Sequence, residues 1–427
     1  MRRTARSTAL TALIAGGALA LTACGGGSGF DEEEGGGADT PAAEEEGNGG
    51  GGGALTLLIG SSGDAETDAV NAAVAAWSEE SGVEATVNVA SDLNQELSQG
   101  FAAGSPPDIF YQSTDQLAGY AANGSLYPYG DQAEAAGDFY PSLVENFTYD
   151  GEFYCAPKDF STLALVINTD KWAEAGLTDA DVPTDWESLS AAATALTKEG
   201  QVGLSFGPEY QRLGVFMAQA GGGLISEDGT EAIADSPENV EALTFVQEMY
   251  NAGILQFPSD IDSGWGGEAF GSGRAAMTIE GNWIIGALKA DFPDVKFQVA
   301  ELPEGPAGKG TLQFTNCWGI AADSANQESA LDLVNFLTST EQQAAFTEAF
   351  GVMPSVQSAG EDFRAAYPEQ VSFLDSAEFA TGMPTVAGAS DVIADFNGQI
   401  EGLGTADVQG MLTSVQTNMQ AVLDSAG

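Results

Sequence analysis

Tyr111, Gln112 and Asp115 lie at or just past the end of the short apolar run Asp108–Tyr111, and Trp265 lies in the glycine-rich stretch Ser263–Gly267. Phenol, amide, carboxylate and indole groups of this kind suit recognition of a small polar molecule. They accept and donate paired hydrogen bonds at its edge and cover its apolar faces. An aromatic flanked by glycines also has little local packing, which leaves Trp265 free to face a ligand. Paired carboxylates could support hydrolysis as well. With 63 acids some pair will always look catalytic, so their number alone carries little weight. The 427-residue chain has no histidine. That removes the commonest metal ligand and the commonest general base near neutral pH. Ser–His–Asp and Cys–His mechanisms are excluded, and neither a metal nor a cofactor is expected.

The 63 acidic residues face 12 basic ones, a formal charge of −51. Such a surface repels polyanions, so nucleic acid and bare anionic membrane are poor partners.

The N-terminus reads as a targeting segment. Arg2, Arg3 and Arg6 form a basic start and Ala9 to Ala23 is apolar and small. Leu21-Thr22-Ala23-Cys24 resembles a bacterial lipobox, which makes residues 1–23 a lipoprotein signal peptide and Cys24 the lipidated residue. Its removal would take the net charge from −51 to −54. The apolar run is shorter than the ~20 residues a bilayer needs. Residues 24–53 form a Gly/Glu tether with little apolar surface to bury, expected to be disordered. Its end-to-end reach is roughly 30 Å. Cys155 and Cys317 then remain, consistent with one bridge or with two separate thiols.

From Ala54 short apolar runs alternate with amphipathic helices. Leu55–Ile59, Val83–Val89 and Asp108–Tyr111 read as strands, separated by helices with stripes at Val70, Ala73, Val74 and Trp77 and at Leu93, Leu97 and Phe101. This β-α-β-α-β order argues for a mostly parallel sheet covered by helices. In such sheets ligands sit beyond the carboxyl ends of strands, which marks Tyr111 to Asp115. The alternative role for Asp115 is a helix N-cap. Leu163–Ile167 is a buried strand, and Thr184 with Glu187 forms a capping box. Further helical stripes are Ala242, Phe245, Val246, Met249 and Ala330, Leu333, Val334, Leu337. Trp77, Trp172 and Trp186 belong to the core.

Four ordered segments carry a family resemblance. The first is Gly104-Ser105-Pro106-Pro107-Asp108-Ile109 with Leu117 and Asn123-Gly124-Ser125-Leu126. The second is Phe160 to Asp170 with Ala175-Gly176-Leu177 and Pro183-Thr184-Asp185-Trp186. The third runs from Phe270-Gly271-Ser272-Gly273-Arg274 into Glu280-Gly281-Asn282-Trp283. The fourth joins Leu302-Pro303-Glu304-Gly305-Pro306, Trp318-Gly319-Ile320, Phe336-Leu337-Thr338-Ser339 and Gly351-Val352-Met353-Pro354-Ser355. In order and spacing these resemble the extracellular solute-binding proteins of ABC importers, in the carbohydrate-binding group that includes maltose-binding protein.

The resemblance implies an α/β, type II periplasmic-binding-protein fold: two lobes, each a sheet flanked by helices, with a ligand cleft between. It assigns 54–159 plus 278–319 to lobe 1 and 160–277 plus 320–427 to lobe 2, with crossings near Asp159–Phe160, Thr278 and Ile320. Cys155 and Cys317 would lie beside two crossings, and a disulfide between them is expected. By motif, Trp283 is the stacking candidate, against a plain core role. Glu209 and Tyr210 stand where relatives offer an acid and an aromatic from lobe 2. Asp159 and Trp318, at crossings, join the candidates.

The expected function is that of a monomeric, lipid-anchored binder on the outer face of the cell membrane. It would deliver a neutral sugar or oligosaccharide to an ABC permease by lobe closure. Two departures from the family pattern disfavour anionic sugars: Gln116 stands where some relatives place a basic residue, and few basic residues remain in the body. A third, the loop Gly60–Asp64 lacking the aromatic of many relatives, leaves the particular ligand open. The competing readings are a secreted carboxylate-based glycoside hydrolase and a same-fold binder of a peptide, polyamine or osmolyte.

Overall fold

Leu55, Leu57 and Ile59 alternate inward and are fully buried, forming β1 (Leu55–Ile59). In the computed structural model, which describes residues 53–226 and 228–426, β1 lies between β2 (Ala85–Val89) and β3 (Ile109–Ser113), parallel to both. The signal segment, Cys24 and all of the tether but Gly53 lie outside the described residues. The intervening helix Asp64–Ser81 buries Val70, Ala73, Val74 and Trp77, the stripe that the 3.6-residue period predicts.

A small hairpin of β4 (Thr148–Tyr149) and β5 (Glu152–Phe153) leads into β6 (Pro157–Asn168), whose residues are all buried. There follow β7 (Val202–Ser205), β8 (Leu255–Gln256), β9 (Ala275–Gly281), β10 (Phe297–Ala300), β11 (Thr311–Ile320) and β12 (Ala380–Thr381). The main sheet runs β2-β1-β3-β11-β6-β9-β7-β8, with β10 also on β6 and β12 on β11. It is parallel at its two ends. Its middle departs from the mostly parallel sheet expected, because β11 is antiparallel to β3 and β6, and β6 to β9. The reason is directional: β6 leads from one core region into another and β11 leads back.

The first of these regions holds Leu55, Trp77, Phe110, Cys317, Trp318, Leu333 and Val334. The second holds Leu163, Leu165, Ile167, Phe216, Val246, Met277, Leu312 and Phe396. Ala164 and Val166 alternate with those β6 residues and pack on the opposite face, in a third cluster with Phe270, Ile284 and Phe373. The partition by resemblance therefore shifts. Met277 and Ile279 in β9, with Leu302 and Leu312, pack in the second region, while Ile320, Ala330 to Leu337 and Val356 pack in the first. Thr278 marks no crossing, since it sits within β9 between β6 and β7.

Cys155 and Cys317 are joined by a disulfide, with Cα atoms 5.7 Å apart. The helix Trp186–Leu196 is capped one residue later than the Thr184–Glu187 box predicts. Asp185 accepts from the Ser188 N–H at 2.8 Å, and the Ser188 hydroxyl accepts from the Asp185 N–H at 3.0 Å. The Thr184 carbonyl is engaged by the Glu304 N–H at 2.9 Å, which holds Thr184 outside the helix. Among the described residues no helix is long and apolar enough to cross a membrane.

Candidate functional site

Strand β9 ends at Gly281, two residues before the helix Trp283–Asp291 begins. Glycine is required at 281, because a Cβ there would lie 2.1 Å from the Trp283 ring. The ring folds back over the strand end and stays 39% exposed, unusual for a tryptophan in a packed body. Its indole N–H donates to Glu280 Oε2 at 3.1 Å, and its edge meets the Phe314 ring at 5.6 Å. The Arg212 guanidinium carbon lies 5.6 Å from the ring centroid, within cation–π range.

Arg212 projects from the first turn of the helix Tyr210–Gln219. It donates to Glu280 Oε2 at 2.6 Å and pairs with Glu209 Oε1 at 3.1 Å. Burial pushes the Glu280 carboxyl above its ordinary value, and the Arg212 charge opposes that rise. Two carboxylates thus claim one guanidinium, leaving it poorly placed to neutralise an anion. Beyond the pair opens a cavity of about 530 Å³ lined by Glu209, Arg212, Phe257, Trp265 and Glu280. Trp265 precedes the helix Gly266–Gly271 and is partly buried, as its glycine neighbours allow. Hydrogen-bonding groups beside exposed aromatic faces are what a ring with hydroxyl edges and C–H faces requires.

Asp115 lies in the first turn of the helix Thr114–Ala122, but Ser113 occupies the N-cap position. It lines a cavity of about 340 Å³ with Gln211, Met383, Pro384 and Asn397. Asp115 thus lines a different cavity from Glu209 and Trp265, although Gln211, beside Arg212 in the chain, reaches it too.

Several expected contacts are buried in the structure. Tyr111 alternates inward on β3; its hydroxyl donates to Glu66 Oε1 at 2.9 Å and its ring meets Trp318 at 5.0 Å. Gln112 is fully buried and its amide donates to the Ser113 carbonyl at 2.8 Å. Trp318 is buried in the first region, where its carbonyl accepts from the Tyr129 hydroxyl. Tyr210 packs in the second region near Phe396, where burial raises its phenol well above the ordinary value, and it also lines a cavity of about 450 Å³ with Gln313, Met383 and Pro384. Asp159 is nine-tenths buried and paired with Lys158, which also binds Glu66 Oε1 at 3.0 Å.

Arg212, Glu280 and Phe314 complete the Trp283 group but escape a reading by motif. A signal existed for two of them: Arg212 lies one helical turn after Glu209, and Glu280 lies three residues before Trp283. No local pattern marks Phe314, which lies on β11 opposite Ser161 of β6 and meets Trp283 only in the folded chain.

Residues 72–381 match the family model of the bacterial extracellular solute-binding protein. The diacetylchitobiose binding protein DasA of Streptomyces coelicolor is 25% identical over 280 residues, covering 62% of this chain and 64% of the relative. The galactooligosaccharide-binding protein of Bacillus subtilis is 24% identical over 314 residues, covering 70% and 72%. The solved structure of the sugar-binding protein MalE from Xanthomonas citri superposes with a TM-score of 0.78 at 18% identity, covering 87% of this chain and 98% of that one. That likeness fixes the fold as the type II periplasmic-binding-protein kind. With the family match spanning well over half of its length, the chain belongs to the bacterial extracellular solute-binding protein family.

Proposed function

We propose that the protein captures a neutral sugar or oligosaccharide and delivers it to an ABC importer. The observation that carries this reading is the exposed Trp283 ring, held beside Phe314 and fixed in place by Glu280 and Arg212. A tryptophan face flanked by carboxylates matches the C–H face and hydroxyl edge of a sugar ring. Relatives named for diacetylchitobiose and galactooligosaccharide support the same class of ligand. Pairing of Arg212 with both Glu209 and Glu280 argues against an anionic one.

The ligand shifts the lobes toward a closed form by as much as it prefers that form. The protein acts by binding alone, as a monomer, and presents the closed form to permease subunits. It is held at the outer face of the membrane by a lipid on Cys24. Its acidic surface meets basic loops of the permease, so that association weakens as salt rises.

A thermal-shift screen of neutral sugars, uronic acids, peptides, polyamines and osmolytes tests the ligand class. A rise in melting temperature confined to neutral sugars is expected; a rise only with a peptide, an amine or an osmolyte would overturn it. Chromatography of oligosaccharides after incubation tests the absence of catalysis, and shortened products would contradict it.

A further inference from the structure

In a chain with 63 acids and 12 bases, a cation without a carboxylate partner is unexpected. Nine basic residues lie beyond residue 53, and seven of them have a carboxylate within 4.0 Å. Among the described residues the two that have none are Lys171 and Arg274. They are neighbours, since a Cβ on Gly273 would lie 3.3 Å from Lys171 Nζ. Arg274 opens onto a cavity of about 340 Å³ that Lys198, Gln201, Gln256 and Asp262 also line. We propose that this cavity is a binding site for a phosphate group.

The guanidinium is held in place before any ligand arrives. Arg274 directly precedes β9, and its carbonyl accepts from the Val202 N–H of β7 at 2.8 Å. Its Nη1 donates to the Asp262 carbonyl and to the Ser263 hydroxyl, the latter at 3.3 Å. Asp262 adopts a left-handed backbone, φ 54°, which few residues other than glycine occupy. Arg274 Nε and Nη2 make no hydrogen bond among the described residues. Those two donors form a fork that matches two oxygens of one phosphate. Lys198 supplies a second charge. Its pair with Glu174, at 2.8 Å, is exposed on both sides and holds it only weakly. The Gln256 amide also has no partner among the described residues, which leaves a neutral donor on the wall.

Charge balance supports the same assignment. Lys198 and Arg274 face one carboxylate, Asp262, on this wall, whereas the cavity beside Arg212 sets four carboxylates against one cation. Behind the wall, Lys171 Nζ donates to Gln201 Oε1 at 2.5 Å. Burial, and then the charge of Lys198, hold the Lys171 ammonium below its ordinary value. A dianion in the cavity would relieve that repulsion. Arg274 and Trp283 flank opposite ends of β9, about 20 Å apart at the rise of a strand, so the site is independent of the sugar reading. The formal charge of −51 repels an extended anionic surface, which favours free phosphate over a lipid headgroup as the source.

Calorimetric titration of the full chain with inorganic phosphate, at constant ionic strength and against a chloride control, tests the site. Lys198→Glu and Arg274→Gln accompany it. Saturable binding by the parent chain is expected, at least about tenfold weaker in each variant. Lys198 is exposed, so its substitution leaves the fold intact, and melting temperatures without phosphate check both variants. Heats no different from those of chloride, or an affinity unchanged in both variants, overturn the site. Flotation with phosphatidylcholine vesicles, with and without phosphatidic acid, separates the sources. The chain should remain unbound to both kinds. Flotation with the phosphatidic acid vesicles alone, lost in Lys198→Glu, would overturn the free ion as the source and assign the same site to a headgroup.

Discussion

Two ion clusters in this protein share a plan and differ in use. In the first, Lys158 is held between Glu66 and Asp159 and lies 4.6 Å from the Tyr111 ring centroid. In the second, Arg212 is held between Glu209 and Glu280 and lies 5.6 Å from the Trp283 ring centroid. Each is a cation between two carboxylates beside an aromatic. The first is closed. Glu66 accepts from the Ser62 N–H and hydroxyl, each at 2.7 Å, as well as from Tyr111 and Lys158. Burial works against its charge, yet Lys158 and Ser62 hold its carboxyl below the ordinary value. Burial raises one carboxyl in each cluster, Asp159 in the first and Glu280 in the second, but the second cluster is open: Trp283 is exposed, and Arg212 with both its carboxylates lines a cavity. Hydrogen bonds to both oxygens of the buried Glu66 mark the cluster that holds the fold. Unfilled capacity marks the one that waits for a partner.

The largest effect should come from the closed side. The disulfide beside Lys158 closes a loop of 162 residues. By chain entropy such a bridge is worth about 5 kcal/mol. Replacing Cys155 and Cys317 together by serine should therefore lower the denaturation midpoint steeply, while folded protein keeps its ligand affinity. Next comes Lys158→Met, which strands buried carboxylates and should cost about 3–5 kcal/mol. Denaturant unfolding measures both. Should Lys158→Met leave stability intact yet abolish binding, the division of labour between the clusters is wrong.

On the open side, Trp283→Ala should weaken sugar binding by about 2 kcal/mol, some thirtyfold, with little change in the unliganded melting temperature. Equal loss of stability and affinity would blur the comparison.

The smallest effect is a pH dependence. Glu66, with a lowered folded value, contributes stability that is full above 4.5 and is lost as pH falls through that folded value. Glu280, with a raised value, costs stability at neutral pH, and the cost is relieved as pH falls through its folded value toward 4.5. Mild acidification should thus weaken binding, by protonating an acceptor at the site, before Glu66 loses its share of stability. Glu280→Gln should flatten the binding profile in that window. A profile unchanged by the substitution removes Glu280 from recognition.

Legibility followed the range over which each feature is written. Val70 to Trp77 and Ala330 to Leu337 are helical stripes, so their burial was readable from spacing alone. Trp283 was readable by motif, because Glu280-Gly281-Asn282-Trp283 is local. Tyr111 and Trp318 were misplaced because a strand end names a neighbourhood but not a face. Their mutual packing depends on register between β3 and β11, more than 200 residues apart. Both ion clusters were hidden for the same reason. Lys158 lies 92 residues from Glu66, and Arg212 lies 68 from Glu280. The partition of the chain between core regions was displaced because β9 pairs with β6 and β7, an arrangement that no local pattern records.

If the protein binds sugar at the open cluster, its affinity depends on the Trp283 ring. Paired calorimetric titrations of the parent chain and of Trp283→Ala, with one neutral oligosaccharide under one buffer, test it most directly. Saturable binding by the parent is expected, with an affinity at least about tenfold weaker in the variant. Equal affinity in the two proteins would contradict it.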